Sequence, residues 1–201
     1  IKSFSGEENL TADLIEKWFY NNKIKSKRSK NNIWAKNKFF DNKKPTILLN
    51  SHHDTVKPNK SYIRDPFNPE IVKNRLYGLG SNDAGGALVS LMSVFKYFYK
   101  SPDLNYNIII AATAEEEIAG ENSIRLLLKE LPELNFAIIG EPTLMNLAIA
   151  EKGLVVFDGK IIGTASHAAH ENKNNVINKL PEIINWFKDF KFDKVSNVLG
   201  T

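Results

Sequence analysis

Three short apolar runs constrain the fold of this chain more than any other feature of its sequence. They lie at residues 46–50, 108–112 and 136–139, and each is a continuous stretch of four or five mostly apolar residues. Runs of this length are typical of strands that are buried on both faces. Apolar residues with helical spacing separate them, at 85–98 and 123–131. Strands that alternate with helices predict an α/β fold, with a mostly parallel sheet flanked by helices on both faces.

The start of the chain predicts a helix. Ser5 followed by Glu8 has the spacing of a capping box. Apolar residues with helical spacing come next, so we expect an amphipathic helix there. The members of that apolar set are Leu10, Leu14, Ile15, Trp18 and Phe19. A short strand is expected at 33–35 and a loop at 57–69.

The pattern changes at residue 154. Residues 154–163 predict extended structure, and residues 176–187 predict a helix. We therefore expect one domain over residues 1–153 and the start of a second, smaller α+β domain over residues 154–201.

Composition limits the kind of site and the location. There is no cysteine, so disulfides and thiolate metal sites are excluded, and any metal ion must be bound by His, Asp and Glu. No apolar run approaches the roughly 20 residues that a membrane helix needs. No signal-peptide pattern opens the chain. We therefore expect a cytoplasmic protein with no membrane partner.

The formal net charge is +4, and much of the excess lies between Lys23 and Lys44. A basic strip can bind nucleic acid. No nucleic-acid module or aromatic stacking motif interleaves these lysines, so we interpret the strip as a solvated surface and expect no nucleic-acid partner. Nucleic-acid binding is kept as a hypothesis from another class of function.

Side chains that can bind metal ions follow the predicted strands or precede a predicted helix. In residues 51–54, the period of two puts His52 and Asp54 on one side of an extended segment. That arrangement suits a ligand histidine oriented by a carboxylate, with a surface His–Asp pair as the alternative. In residues 80–86, glycines flank Asp83 at a helix start, where an ordinary N-cap aspartate is the alternative.

Two further acidic motifs follow strands. Residues 115–117 are three glutamates directly after the second apolar run. Neighbours in extended backbone point opposite ways, so Glu116 and Glu117 can serve different tasks, one as base and one as ligand. A solvated acidic turn is the alternative. Glu141 follows the third run and precedes Pro142, which favours extended geometry, with a plain turn as the alternative.

These four motifs are more specific together than separately. In open parallel α/β sheets, ligands bind beyond the carboxyl ends of the strands, so all four motifs can converge at one edge of the sheet. Nitrogen and oxygen ligands of this kind suit zinc, cobalt or manganese. The sequence therefore predicts a metal site at that edge.

The order of the motifs resembles one family. The motifs are His-x-Asp at 52–54, the Gly-rich Asp turn at 80–86, the acidic triplet at 115–117, Gly-Glu-Pro-Thr at 140–143 and Gly-Thr-Ala-Ser-His at 163–167. This set resembles the co-catalytic zinc amidohydrolases, which include acetylornithine deacetylase, succinyl-diaminopimelate desuccinylase, aminoacylase and glutamate carboxypeptidase. The resemblance covers essentially the whole chain. It implies a zinc-peptidase-like catalytic domain over 1–153 and the start of a dimerisation or lid domain over 154–201.

The resemblance also implies two divalent metal ions, expected to be zinc, with cobalt or manganese as alternatives. His52, Asp83 and Glu141 would bind one ion. Asp83 would bridge to the second ion, which Glu117 would also bind. A cis peptide bond is expected between Asp83 and Ala84.

Three catalytic roles follow from the same resemblance. Asp54 would orient the metal-binding histidine, and Glu116 would be the general base. His167 would begin the smaller domain and stabilise the oxyanion in the active site of the partner subunit. This implies a homodimer formed through the smaller domain.

The implied reaction is hydrolysis of the amide bond of an N-acyl amino acid. Similarity to the acetylornithine deacetylase branch favours N-acetyl-L-ornithine, and hence arginine biosynthesis. Alternatives are a succinyl-diaminopimelate desuccinylase or a dipeptidase and, from another class, a relative without catalysis. The chain departs from the usual motifs at Ser51, Ala84 and Glu115. The family's last metal ligand is a histidine that would lie beyond Thr201, so we expect a fragment that is inactive by itself.

Overall fold

The computed structural model describes residues 1–200, which form two compact units, residues 1–145 and 146–200. The strands are β1 (Ser26–Ser29), β2 (Asn32–Lys36), β3 (Thr46–His52), β4 (Glu70–Val72), β5 (Arg75–Tyr77), β6 (Asn107–Thr113) and β7 (Phe136–Ile139). The helices are α1 (Asn9–Asn21), α2 (Ala87–Phe98), α3 (Ile124–Leu127) and, in the second unit, α4 (Val176–Asp189). A kinked turn, Ser81–Gly86, leads into α2.

The central sheet of the first unit has five strands in the order β1-β2-β6-β3-β7. β3 is parallel to both β6 and β7, whereas β2 is antiparallel to both β1 and β6. Four of the five strands therefore point the same way, and β2 alone runs against them. The predicted α/β fold with a mostly parallel sheet is confirmed.

The register aligns the carboxyl ends of the parallel strands. His52 at the end of β3 pairs with Thr113 at the end of β6. Asn50 of β3 pairs with Ile139 at the end of β7. Because these ends meet, the residues that follow all three strands leave the sheet at the same edge.

Successive residues of the central strands pack on opposite faces of the sheet. On one face, Ile108 and Ile110 pack with Phe19 of α1 and Phe95 of α2. The other face carries Trp34, Leu48, Ile109, Ala111 and, from α3, Leu127. Burying each large apolar side chain contributes about 1.5–3 kcal/mol. The sheet is thus covered by helices on both faces, as the sequence predicts.

The first helix forms, but the predicted capping box does not. Helix α1 begins after Glu8, whose side chain makes no capping hydrogen bond. Ser5 and Glu8 are instead bonded to other segments of the chain. Leu10 and Leu14 are exposed, because the buried face of the helix lies elsewhere. Its buried side chains are Ala12, Ile15 and Phe19.

Two of the predicted elements differ from expectation. Strand β7 forms at 136–139, but the prediction that it is buried was wrong, since all its side chains are exposed. It is an edge strand that pairs with β3 alone among the described strands. The helix predicted over 123–131 is limited to α3, and turns replace its last part.

Strand β1 and the hairpin β4–β5 were not predicted, because their sequences lack an apolar run. The hairpin turn has positive φ at both Lys73 (49°) and Asn74 (61°). Positive φ at both central residues is the geometry of a type I′ turn, which matches the twist of a hairpin. Lys-Asn is a weaker signal for a type I′ turn than Asn-Gly, so the local sequence does not predict this hairpin.

The second unit contains the predicted helix. The side chain of Asn175 caps α4 by accepting a hydrogen bond from the Ile177 N–H (2.9 Å). Residues 154–163, for which extended structure was predicted, belong to no strand ladder. The functions expected for residues 1–153 and 154–201 stay predictions. Within residues 1–200, no helix has both the length and the apolar character that crossing a membrane requires.

Candidate metal centre

His52 is the last residue of β3, and its side chain is buried, with 1% of its surface exposed. Its Nδ1 lies 3.0 Å from the backbone oxygen of Asp54 and 3.4 Å from the Oδ1 of the same residue. A carbonyl oxygen can only accept, so Nδ1 donates a proton to Asp54. This leaves Nε2 as the nitrogen that faces the neighbouring acids.

Acidic side chains surround the Nε2 atom of His52. It lies 3.1 Å from Asp83 Oδ1, 3.8 Å from Glu141 Oε2 and 3.9 Å from Glu116 Oε2. Possible ligand atoms of His52, Asp83 and Glu117 all lie within 4.8 Å of one another. The structure therefore brings together the residues predicted to bind metal and the predicted base.

Asp83 lies in the kinked turn Ser81–Gly86 that opens α2. Its backbone is extended (φ −114°, ψ 102°), and the peptide bond to Ala84 is cis, as expected. A Cβ atom at Gly85 would lie 2.6 Å from the backbone oxygen of Gly80. Gly85 therefore permits the close approach of two backbone segments that turns Asp83 toward His52.

Asp54 is fully buried and connects three parts of the site. Its Oδ2 accepts from the Ser5 hydroxyl (2.7 Å) and from the Glu117 N–H (3.2 Å), and its Oδ1 accepts from the Glu116 N–H (3.2 Å). Burial acts to raise its pKa, but the hydrogen bonds from these groups and from His52 outweigh burial and hold the pKa below its ordinary value. Asp54 is thus an ionised orienting group.

The acidic triplet forms a turn, so the prediction of extended backbone there was wrong. Glu115 has a φ of 55°, in the left-handed region. Its carboxylate turns away from His52 and accepts from the Asn122 N–H (3.1 Å) and side-chain amide (2.8 Å). Glu116 and Glu117 remain on the side of the predicted metal site, with their N–H groups bonded to Asp54.

Glu141 follows β7 and is partly buried. The preceding Gly140 fixes its position, because the Gly140 N–H donates to the Asn50 oxygen (2.7 Å) and its carbonyl accepts from the Ser51 hydroxyl (2.8 Å). Burial, together with the negative charges of Glu116, Asp83 and Glu117, raises the pKa of Glu141 to about 6, although His52 opposes the shift.

The charge in the site is unbalanced. Burial acts to lower the pKa of His52. Hydrogen bonds to Asp54 and Asp83 and the negative charges of Asp54 and Glu141 outweigh burial and raise the pKa to about 9. Burial and the Asp83 charge also raise the pKa of Glu117. The positive charge of a protonated His52 does not balance these carboxylates, so the donor set fits divalent cations.

A cavity of about 550 Å³ adjoins the acidic side chains of this cluster. Asp83 and Glu117 form part of its wall, and Tyr62, Arg64 and Tyr77 line it further out. The guanidinium of Arg64 stacks over the Tyr77 ring and is paired with Glu70. The volume is within the range of pockets that take small molecules.

His167 lies in the second unit, where its side chain is exposed. Its Nδ1 accepts from the Ala169 N–H (3.2 Å), and its ring is 5.7 Å from that of His170. The role expected for His167 stays a prediction.

Sequence reasoning missed several residues that support the site. Glu8 is fully buried and accepts from the Glu115 N–H (3.3 Å). The ring of His53 is held between the Thr11 hydroxyl (2.9 Å) and the Asn31 carbonyl (2.9 Å), and burial lowers its pKa. Ser5, which donates to Asp54, also went unrecognised. The available signal is Ser5-x-x-Glu8, whose spacing also fits a helix cap.

Comparison with known proteins identifies the family to which this chain belongs. The model of peptidase family M20/M25/M40 matches residues 48–196. The chain is 31% identical over 186 residues to a succinyl-diaminopimelate desuccinylase of Pelagibacter ubique (strain HTCC1062), covering 85% of this chain and 48% of that protein. It is 34% identical over 159 residues to an acetylornithine deacetylase of Buchnera aphidicola subsp. Schizaphis graminum, covering 74% of this chain and 40% of that protein. The chain thus spans about half the length or less of these curated relatives.

Solved structures support the fold. An M20 family metallo-carboxypeptidase from Sulfolobus solfataricus matches with a TM-score of 0.57 at 22% identity, covering 69% of this chain and 34% of that protein.

Proposed function

We propose, from the premise that this chain belongs to peptidase family M20/M25/M40, that it is the metal-binding part of a hydrolase for N-acyl amino acids. One observation carries the proposal. The Nε2 atom of the buried His52 lies within 4 Å of carboxylate oxygens of Asp83, Glu116 and Glu141. Such a cluster at the carboxyl edge of a parallel sheet suits metal-assisted hydrolysis.

The donor set defines which residues would hold metal. We propose that His52, Asp83 and Glu141 bind one ion and that Asp83 and Glu117 bind a second, with zinc as the preferred metal and cobalt or manganese as alternatives. Bound ions of this kind polarise a carbonyl group and lower the pKa of water.

Residues of the chain supply the rest of the chemistry. Asp54 fixes the ring of His52 by accepting from Nδ1, which keeps Nε2 directed toward the acids. Glu116 stands beside the proposed ligands, and 54% of its side chain is exposed, so it can reach a substrate. We propose that its carboxylate takes a proton from the attacking water and delivers it to the leaving amine.

The preferred substrate is N-acetyl-L-ornithine, cleaved to acetate and ornithine, which would assign the protein to arginine biosynthesis. The relative named acetylornithine deacetylase supports this choice. A second candidate is N-succinyl-diaminopimelate, which the relative named succinyl-diaminopimelate desuccinylase supports over a larger part of the chain. Both reactions use the same amide chemistry, so the proposed roles of the residues are common to them.

A homodimer completes the proposal. The smaller domain, expected over residues 154–201, would form the dimer, and His167 would stabilise the oxyanion in the partner's site. A cytoplasmic location fits these substrates and stays a prediction.

The test is an assay of the protein at its full natural length. After removal of metal and addition of zinc, the release of free amine is measured with N-acetyl-L-ornithine and N-succinyl-diaminopimelate. We expect zinc-dependent turnover of the first at a higher kcat/KM than of the second. Faster turnover of the succinylated substrate would reassign the substrate. No turnover of any N-acyl amino acid or dipeptide would identify a relative without catalysis.

A further inference from the structure

The amino-terminal segment, residues 1–8, runs beside the chain that follows β3. Phe4 forms a parallel bridge with Thr55, and the Thr55 N–H donates to the Ser3 oxygen (2.8 Å). The segment lies outside residues 48–196, which the family model matches. It is nevertheless in contact with the proposed active site, because Ser5 donates to Asp54.

Glu8, at the end of this segment, is a fully buried carboxylate that the proposed mechanism does not use. Its Oε1 accepts from the N–H groups of Gly6 and Glu115, and its Oε2 accepts from the side-chain amide of Asn31 (3.0 Å). A buried carboxylate is costly unless hydrogen bonds satisfy it, and here three donors do so.

The contact with Glu115 gives Glu8 a connection to the predicted base. Three successive N–H groups of the acidic turn donate hydrogen bonds to two buried carboxylates. The Glu115 N–H donates to Glu8 (3.3 Å), and the N–H groups of Glu116 and Glu117 donate to Asp54 (3.2 Å each). Glu8 therefore anchors the turn at the residue directly before Glu116.

We infer that Glu8 is a positioning residue, which acts through the Glu115 N–H to set where the Glu116 carboxylate stands in the active site. The inference rests on the proposed function for the identity of the base. A role as a helix cap is excluded, because the Glu8 side chain makes no capping bond to α1.

A pair of isosteric substitutions tests the inference. Glu8→Gln keeps one oxygen for the two backbone donors, but its new NH2 group faces the Asn31 amide, which is also a donor. Adding Asn31→Asp restores an acceptor opposite that NH2 group. The double variant keeps the shape and the hydrogen bonds while moving the negative charge to position 31. Glu7→Gln is the matched control, since Glu7 is the exposed neighbour.

Full-length, zinc-loaded proteins are compared for kcat, KM and zinc content. We expect Glu8→Gln to lower kcat by about tenfold or more, because small misplacements of a catalytic group can cost up to ~10²-fold. We expect KM and zinc content to stay unchanged. The double variant should recover kcat to within about threefold of the wild type, and Glu7→Gln should equal the wild type.

Hydrogen exchange of the Glu115 N–H, measured by NMR on the same proteins, provides a readout that does not need activity. Exchange should be faster in Glu8→Gln and slow again in the double variant. If the wild type hydrolyses nothing, the proposed function fails while exchange still tests the anchor. Unchanged kcat and exchange in Glu8→Gln would overturn the inference, as would a loss of zinc that accounts for the whole decrease in kcat.

Discussion

The two ring nitrogens of His52 serve two different partners. Nδ1 faces Asp54, which is fully buried and held by Ser5, and Nε2 faces the cluster of exposed and half-buried acids. Because Asp54 also accepts from the N–H groups of Glu116 and Glu117, one carboxylate orients the histidine and the acidic turn together. The geometry of the proposed ligand His52 and the proposed base Glu116 is thereby coupled through the side chain of Asp54.

The pKa of His52 predicts how metal binding depends on pH. With a pKa of about 9, the imidazole of the metal-free protein is protonated at neutral pH and must release its proton to bind metal. Affinity should therefore rise as the pH increases from 6.5 toward 9 and level off above 9. The raised pKa also stabilises the metal-free fold, fully below pH 6.5 and less and less as the pH rises through 9.

Calorimetric titration with zinc in buffers of different ionisation enthalpy measures this proton release. We expect about one proton released per site at pH 7. Binding without proton release at pH 7 would contradict the charge state that we assign to His52.

Replacement of the predicted base tests the assignment of Glu116. Glu116→Gln should keep the bound metal and lower kcat by about 10²- to 10⁴-fold, since loss of a general base is typically worth that much. Turnover and metal content are measured on the full-length protein. Glu121→Gln is the control, because Glu121 is an exposed side chain close by. Near-normal turnover in Glu116→Gln, or loss of metal, would show that the role is misassigned.

The sequence alone was sufficient to select the four proposed metal ligands. His52, Asp83, Glu117 and Glu141 stand out because each comes directly after an apolar run or before a helix. Ser5 and Glu8 could not be assigned, because their partners Asp54 and Glu115 are 49 and 107 residues away in sequence. Their spacing also fits a helix cap, so the local pattern favoured the wrong partner.

Short turns, rather than the strands themselves, give the site its geometry. The strand ends bring His52, the acidic turn and Glu141 to one edge of the sheet, but the direction of each carboxylate depends on the turn that follows. Glu115 in the left-handed region reverses the chain, and the Ser81–Gly86 turn brings Asp83 in from a separate segment. The site therefore requires backbone conformations that few residues tolerate.

Gly85 tests whether the turn that contains Asp83 depends on close backbone packing. Gly85→Ala would place a Cβ atom 2.6 Å from the Gly80 oxygen, so the backbone must shift. We expect the free energy of unfolding to fall by about 1–3 kcal/mol, measured by thermal or urea denaturation. In the control Gly78→Ala, the new Cβ would meet Pro69 at 3.9 Å, an ordinary contact. Equal stability of the two variants would contradict the close packing inferred for this turn.

Apolar runs were sufficient to predict β3, β6 and β7, although similar runs at 147–150 and 154–157 form no strand. They were not sufficient to predict burial, since the exposed side chains of β7 depend on what covers an edge strand. Strand β1 has the sequence Ser-Lys-Arg-Ser and is specified by its pairing with β2. Such pairing is a tertiary property, which local propensity does not encode.

The chain as a whole consists of two units, and the proposed reaction distributes its residues between them. All proposed metal ligands and Glu116 belong to the first unit, and His167 belongs to the second. His167 can assist a site by closure of its own domain or by reaching a neighbouring subunit, and the proposed homodimer favours the neighbour.

Complementation between inactive variants tests that choice. Full-length Glu116→Gln and His167→Ala are each expected to be nearly inactive. Mixed dimers should regain activity, because one of their two sites combines an intact Glu116 with an intact His167 from the partner. The mixture is assayed after subunit exchange, with each variant alone as the control. Mixed dimers that form but stay inactive would show that His167 does not act across the interface.

We propose that the cluster around His52 and Asp83 is a two-metal centre. Anomalous X-ray scattering at the zinc edge, from zinc-loaded crystals of the full-length protein, measures this most directly. We expect two peaks about 3.5 Å apart, with carboxylate oxygens of Asp83 about 2.0–2.2 Å from both. His52 and Glu141 should bind one ion, and Glu117 the other. A single peak, or no peak within ligand distance of Asp83, would contradict the two-metal assignment.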